Sequence, residues 1–147
     1  MKAPFLMGRL LFGGFFLYNG INHFKEAESM SQYAESKHVP QPEAAVLVSG
    51  AALIAGGASL LLGIKPKFGA AAIAGFLAGV SPIMHDFWKQ QDPQQRQMET
   101  IQFAKNMALM GGALALMSVK EPWPSSVPVA QPSYYQQLSE SGAKIAA

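Results

Sequence analysis

Cysteine is absent from the 147 residues of this chain, and charged side chains are scarce. Without a thiol, the chain by itself forms no disulfide, no thiol–disulfide relay and no cysteine-ligated iron–sulfur cluster. Lysine, arginine, aspartate and glutamate make up 14% of the residues, against about a quarter in a soluble domain. The formal net charge is only +2 and no basic cluster occurs, which argues against a nucleic-acid partner.

The scarcity of charge is uneven, and it leaves long apolar runs. Four runs contain at most one ionisable residue each, namely residues 3–21, 44–64, 68–84 and 101–119. The runs are 17 to 21 residues long, and a helix needs about 20 residues to cross a bilayer core of about 30 Å. Because lipid provides no hydrogen-bond partner for the backbone, such segments cross it as helices.

These runs predict an all-α fold, an integral membrane four-helix bundle. The expected spans are residues 4–22, 43–63, 68–86 and 98–119. Asp92 and Pro93 are a cap and a first residue typical of a helix start, so the last helix should begin ahead of its apolar run. Arg9 and Lys105 interrupt the first and last runs, and we expect both side chains to reach the membrane surface by snorkelling.

Residues 120–147 differ in composition from the rest of the chain. They are rich in proline, serine and glutamine, cannot cross a membrane, and alone should be extended or disordered. We therefore expect a four-span domain, residues 1–119, followed by an extramembrane tail. With both termini in the cytoplasm, six lysines and arginines fall on the inner side and four on the outer side. This is the bias of the positive-inside rule, so we predict that orientation.

Small residues recur at helical spacing within the predicted spans. They include Gly75 and Gly79 in the third span, Ala52 and Gly56 in the second, and Ala104, Ala108 and Gly112 in the fourth. Such ridges allow helix backbones to approach closely in lipid. We expect them to serve packing inside the bundle, with a homodimer contact as the alternative.

Polar residues collect at one face of the predicted membrane domain. A stripe on the fourth helix should face the bundle interior, because a lipid-facing stripe is costly; it comprises Glu99, Gln102, Lys105 and Asn106. In the predicted topology His23 ends the first span and His85 and Asp86 end the third span on that same side. Pro82 should kink the third helix one turn earlier. The candidate binding residues are therefore His23, His85, Asp86, Lys105 and Asn106.

Several interpretations fit this cluster. The residues can cap helix ends at the lipid headgroups, or they can form a polar pocket for a quinone headgroup, with Lys105 and a histidine as donors. A metal or haem site is disfavoured, because the adjacent His85 and Asp86 point to different helix faces and no HxxxH or HxxE spacing occurs. No nucleophile is set beside a base, so we assign no catalytic residue and no metal ligand, and expect no self-contained enzyme.

The ordered motifs resemble those of the DoxX family across residues 5–118. They are "GRLLFGGFFLYNGINHF", "YAESKHVPQPEAAVLVSGAALIAGGASLLLGIKPKFGA" and "HDFWKQQDPQQRQMETIQFAKNMALMGGALAL". The resemblance implies a small four-span protein of the bacterial inner membrane linked to redox physiology. Some members resemble the small subunit of a thiosulfate:quinone oxidoreductase, and others join membrane-associated oxidoreductase complexes. By position, the motif residues that carry over, without an assigned catalytic role, are Arg9, His23, His85, Trp88, Lys105 and Asn106.

Two functions follow as expectations. In the first, the chain is a component of a quinone-linked redox complex in the inner membrane and holds a headgroup at its outer face. In the second, it is a non-catalytic accessory subunit of a larger energy-transducing complex and packs through its small-residue faces and its tail. Its partners would be the lipid bilayer and other membrane subunits. Four spans without an inverted repeat disfavour a transporter.

Overall fold

A computed structural model of the chain describes residues 2–128, and these are mainly helical, with no β-strand among them. The five α-helices and one short 3₁₀ turn are α1 (Lys2–Lys25), α2 (Ala27–Ser36), α3 (Pro42–Leu62), α4 (Pro66–Met84), the 3₁₀ turn (Phe87–Lys89) and α5 (Pro93–Met117). Most of the predicted tail, residues 129–147, lies outside the described part of the chain.

Prolines and caps set where the long helices begin and end. Helices α3, α4 and α5 each have a proline in the first turn, where its missing N–H has no helical partner to lose. At α5 the carboxylate of Asp92 accepts a hydrogen bond from the backbone N–H of Gln95 at 2.8 Å, which is the predicted cap. Helix α3 ends at Gly63, whose φ of 70° is a left-handed conformation that favours glycine.

Two helical segments are long and apolar enough to cross a membrane, judged by length and composition. They are Pro42–Leu62 and Pro66–Lys89, the latter combining α4 with the 3₁₀ turn. No other helix in residues 2–128 meets that standard. Helices α1 and α5 are as long, at 24 and 25 residues, but both carry charged and amide side chains. The all-helical prediction is therefore confirmed for the described residues, and four spans stay a prediction.

Glycines bring the long helices close together. Helix α3 lies between α1 and α4, and α5 packs against α4. A Cβ added at Gly57 of α3 would lie 2.5 Å from the backbone nitrogen of Leu17, and one at Gly20 of α1 would lie 2.7 Å from that of Ile54. Because real Cβ contacts are not that short, these helices meet at this distance only with glycine at the contact.

The core is narrow, and many large apolar side chains face outward. Phe16, Leu53, Leu60, Ile73 and Leu77 are among the buried members of the core. In contrast, five large side chains are more than 60% exposed, namely Met7, Leu11, Tyr18, Val48 and Phe68. Exposed apolar surface of this kind is typical of contact with a membrane or a partner.

One end of the long helices is closed by the chain that follows α5. We call residues 119–128 the C-terminal strap. Trp123 of the strap is 2% exposed and packs edge-to-face on Phe5, with ring centroids 5.2 Å apart. The backbone N–H of Val127 donates to the carbonyl oxygen of Leu62 at 2.8 Å. Residues 120–128, predicted to be extended or disordered alone, are therefore packed against the helices.

Arg9 ties the C-terminal strap to the helices. Its Nη1 donates to the carbonyl of Pro124 at 2.7 Å, and its Nη2 donates to those of Leu61 and Ser125 at 3.0 Å each. Leu61 lies in the last turn of α3, where carbonyls lack a helical partner. Arg9 is only 2% exposed, so the prediction that it snorkels is wrong, because the strap covers it. We call this end of the molecule the Arg9 end.

Candidate functional site

The opposite end of the long helices, the His85 end, contains a cavity of about 660 Å³. Side chains from all five α-helices line it, and most of the lining is apolar; Met30, Val46, Phe76 and Ile83 are examples. Its volume lies within the range of about 300–1,000 Å³ that is typical of small-molecule sites. The cavity is therefore the candidate binding site of the chain.

Two glycines of α4 form part of the cavity wall. A Cβ added at Gly75 or Gly79 would meet no atom within 4 Å, and both residues line the cavity. We predicted that this pair packs against another helix, which is wrong within the described chain. The glycines therefore leave space for a ligand at this face of α4.

His85 is placed at the cavity by the end of α4. The helix contains Pro82 and ends at Met84, and His85 follows as its C-cap with a non-helical φ of −120°. The Nδ1 of His85 lies 2.8 Å from the Oε2 of Glu99 on α5. The helix continues two residues past Pro82, so the kink stays a prediction, and His85 is oriented by a carboxylate.

Tyr33 of α2 approaches the same carboxylate from the other side. Its hydroxyl lies 3.4 Å from the Oε1 of Glu99 and 3.3 Å from the carbonyl oxygen of Met84, and its single proton is shared between these two acceptors. Partial burial, together with the charge of Glu99, raises the pKa of Tyr33, so the hydroxyl keeps its proton and remains a donor. Both oxygens of Glu99 therefore act as acceptors.

His23 and Asn106 add polar groups to the cavity wall, which also includes the hydroxyls of Ser29 and Ser49. The Nδ1 of His23 lies 2.8 Å from the carbonyl oxygen of Asn19, one turn earlier on α1. Its ring meets Phe76 edge-on, with centroids 5.9 Å apart. Asn106 of α5 is 7% exposed, and within residues 2–128 its side-chain amide makes no hydrogen bond. An amide that lines a cavity and has no protein partner is suited to binding a polar ligand group.

Asp86 lies beside this cavity and does not line it. Its Oδ1 accepts from the Nζ of Lys37 at 2.7 Å, and its Oδ2 lies 3.5 Å from the Nζ of Lys89. Partial burial lowers the pKa of Lys37, but the hydrogen bond to Asp86 together with the charges of Tyr33, Asp86 and Glu99 outweighs it, so the net shift is upward. Asp86, Lys37 and Lys89 thus form an ion cluster that links the loop after α2 to the 3₁₀ turn. These three residues line a separate pocket of about 630 Å³.

Lys105 lies outside the cavity, contrary to the prediction that its stripe faces the interior. Its side chain is exposed and its Nζ donates to the Oε1 of Gln102 at 2.6 Å. The helical repeat explains the difference, since Glu99 and Asn106 are seven residues apart and share a face, whereas Lys105 is rotated by about 100° from Asn106. The structure therefore brings together His23, His85 and Asn106, but neither Asp86 nor Lys105.

Sequence reasoning did not identify the roles of Tyr33 and Lys37. Glu99 belonged to the predicted stripe, but nothing in the sequence paired it with His85. The sequence indicates α2 only through residues that recur at helical spacing, namely Phe24, Ala27, Met30 and Tyr33. In the described part of the chain, no three histidine, cysteine or acidic side chains are grouped to hold a metal ion.

Comparison with known proteins gives a family assignment. The family model for DoxX matches residues 5–86, which is more than half of the chain. The match includes α1 to α4 with His23, His85 and Asp86, and it ends before α5. DoxX is a family of membrane proteins. No curated protein and no solved structure matches the chain.

Proposed function

This chain belongs to the DoxX family of small membrane proteins, and on that basis we propose that it binds a quinone headgroup in the cavity at the His85 end. We further propose that it does so as a four-span protein of the bacterial inner membrane, with both termini cytoplasmic, in association with a quinone-linked redox complex.

Four spans are supported by what happens to the charges of α1 and α5. Arg9 is the only ionisable residue in residues 3–22 of α1, and its guanidinium is buried under the C-terminal strap. Lys105 of α5 is exposed and donates to Gln102, about one turn nearer the start of the helix, and a lysine so placed can reach the headgroups by snorkelling. The outward faces of both helices carry large apolar side chains, such as Leu11 and Ile101. Lipid contact with α1 is therefore not opposed by an exposed charge at mid-helix.

The observation that carries the proposed ligand is the combination of an apolar cavity with few polar atoms. His23, His85 and Asn106 supply ring nitrogens and an amide within a wall that is otherwise mainly apolar. A quinone headgroup is a flat ring with two polar oxygens, and it needs hydrogen-bonding groups within an apolar surround. The open face of Gly75 and Gly79 provides room for a flat ring.

The residues of the chain account for binding and not for electron transfer. They can hold and orient the headgroup. A bound quinone supplies the redox chemistry. The chain has no cysteine for a thiol relay or a cysteine-ligated cluster, and we infer that a partner subunit exchanges the electrons.

The test is extraction and rebinding. We expect the full-length protein, purified in mild detergent, to carry a quinone that organic solvent extracts, and a decyl-substituted benzoquinone to raise its melting temperature. Asn106→Leu should abolish both effects, whereas Lys105→Ala, altered outside the cavity, should leave them unchanged. Absence of extractable quinone together with no thermal shift would contradict the proposal.

The accessory role is favoured by a different observation. Gly8 of α1 and Gly111 of α5 are exposed, and a Cβ added at either would meet no atom within 4 Å. Outward-facing glycines allow a partner helix to approach closely. If this is the function, a stoichiometric membrane complex should co-purify, and Gly8→Leu with Gly111→Leu should release it while quinone content stays unchanged.

A further inference from the structure

The tautomer of His23 follows from its neighbour. Its Nδ1 lies 2.8 Å from the carbonyl oxygen of Asn19, and a carbonyl oxygen only accepts hydrogen bonds. Nδ1 therefore carries the proton. In the neutral ring, Nε2 then presents a lone pair and acts as an acceptor.

The tautomer of His85 is set in the same way by Glu99. Its Nδ1 lies 2.8 Å from the Oε2 of that carboxylate, while the Tyr33 hydroxyl donates to Oε1. An ionised carboxylate only accepts, so Nδ1 of His85 also carries the proton. The free nitrogen of the neutral ring, Nε2, is again an acceptor.

Both free nitrogens remain accessible. Arg9 Nε is the only fully buried side-chain nitrogen or oxygen without a partner in residues 2–128, and neither Nε2 makes a hydrogen bond within that part of the chain. His23 and His85 both line the cavity. The third polar residue, Asn106, offers an amide that can donate or accept.

Because the Nε2 atoms of His23 and His85 are both acceptors, we propose that the cavity selects the reduced, hydroxyl-bearing form of a ring headgroup. Such a headgroup is a hydroquinone or a phenol, and it would bind in preference to the carbonyl-bearing quinone. This inference rests on the proposed function and assigns the preferred form of its ligand. Two hydroxyls can donate to the two histidines. Ring carbonyls would instead face those two lone pairs, and they would depend on the amide of Asn106 or the hydroxyl of Ser29 for a donor. Glu99 is a positioning residue, since it holds His85 in the accepting tautomer.

The expected selectivity is set by one or two hydrogen bonds. A net hydrogen bond is worth about 0.5–1.5 kcal/mol, and 1.4 kcal/mol is tenfold in affinity. We therefore expect a decyl-substituted hydroquinone to bind about tenfold more tightly than the matching quinone under anaerobic conditions near neutral pH. A decylphenol should likewise bind more tightly than its methyl ether, a pair that has no redox chemistry.

Variants of Glu99 and His85 distinguish an effect on the accepting tautomer of His85 from a merely structural role of these residues. In Glu99→Gln the amide can donate to Nδ1, which allows His85 to carry its proton on Nε2 and to donate to a carbonyl. The hydroquinone-to-quinone affinity ratio should then fall toward one. His85→Gln should lower the ratio similarly, because its amide can rotate to donate. Lys105→Ala should keep the wild-type ratio, and the melting temperature without ligand should show that each variant is folded.

The outcomes distinguish this inference from the proposed function. Equal binding of both forms, tighter binding of the quinone, or an unchanged ratio in a folded Glu99→Gln protein would overturn the inference and leave headgroup binding intact. Binding of neither form would contradict the proposed function itself. If Glu99→Gln does not fold, His23→Gln provides the same measurement at the other histidine.

Discussion

The two ends of the molecule treat their polar side chains differently. At the Arg9 end, the guanidinium donates to three carbonyls and Trp123 fills the space beneath the C-terminal strap. At the His85 end, two imidazole nitrogens and the amide of Asn106 remain without partners beside about 660 Å³ of space. A polar residue near a helix end is therefore a poor indicator of a site. The better indicator is an unpaired hydrogen-bonding atom that lies next to a cavity.

The largest effect should come from removing the side chain that fills the Arg9 end. Trp123 is 2% exposed and belongs to the core. Trp123→Ala should lower the free energy of unfolding by about 3–5 kcal/mol, because it leaves a cavity under the strap. Urea or thermal unfolding in detergent measures this. An unfolding midpoint equal to that of the wild type would show that the strap does not close this end.

A smaller effect is expected when the charge of Arg9 is kept but its shape is changed. Arg9→Lys retains a cation but replaces the planar fork that reaches three carbonyls. Losing one or two of these hydrogen bonds should cost about 1.5–3 kcal/mol. Quinone binding at the His85 end should be unchanged, and a loss of binding equal to that of Asn106→Leu would contradict the separation of the two ends.

Alanine in place of one glycine at each end sharpens the comparison. At Gly63 the φ is 70° and an added Cβ would collide with the side chain of Ser126. Gly63→Ala should therefore destabilise by at least about 1 kcal/mol. At Gly79 the added methyl meets no atom within 4 Å, so Gly79→Ala should keep or slightly raise the melting temperature. Its effect should instead be weaker ligand binding, and unchanged affinity would show that the ligand does not touch α4.

The smallest effect is expected at the ion cluster of Asp86. Its carboxylate and Lys37 are both largely covered, with 11% and 14% of their side chains exposed. Asp86→Asn should cost about 1 kcal/mol, since the amide oxygen can still accept a hydrogen bond from Lys37 and only the charge of the pair is lost. Binding in the neighbouring cavity should persist, because Asp86 does not line it. Thermal unfolding together with a ligand titration checks both parts.

The same cluster predicts a pH dependence. The folded-state pKa of Lys37 is raised, so its stabilising contribution is present at neutral pH and is lost as pH rises beyond the ordinary lysine value of 10.5. Wild-type stability should therefore fall more steeply above that pH than the stability of Asp86→Asn. Parallel pH profiles of the two proteins would contradict this.

Much of the fold was predictable because its signals are local. Apolar runs, the prolines at helix starts and the Asp92 cap act within one or two turns, and they place α1, α3, α4 and α5 where the sequence indicates. The gathering of His23 and His85 at one end follows from alternating helix directions. The position of Lys105 outside the cavity could also have been predicted, because each residue turns the helix by about 100° and Lys105 therefore faces away from Asn106.

By itself, the sequence determined the helices, the family and the end of the molecule at which polar side chains collect. Only the tertiary structure decided which of those side chains have hydrogen-bond partners and which remain unpaired. Arg9 meets carbonyls as far as 116 residues away, Lys37 meets Asp86 across 49 residues, and His85 meets Glu99 on another helix. Such pairings depend on how distant segments pack, and the hydrogen-bonding state of a side chain is set by those partners and not by its neighbours in sequence.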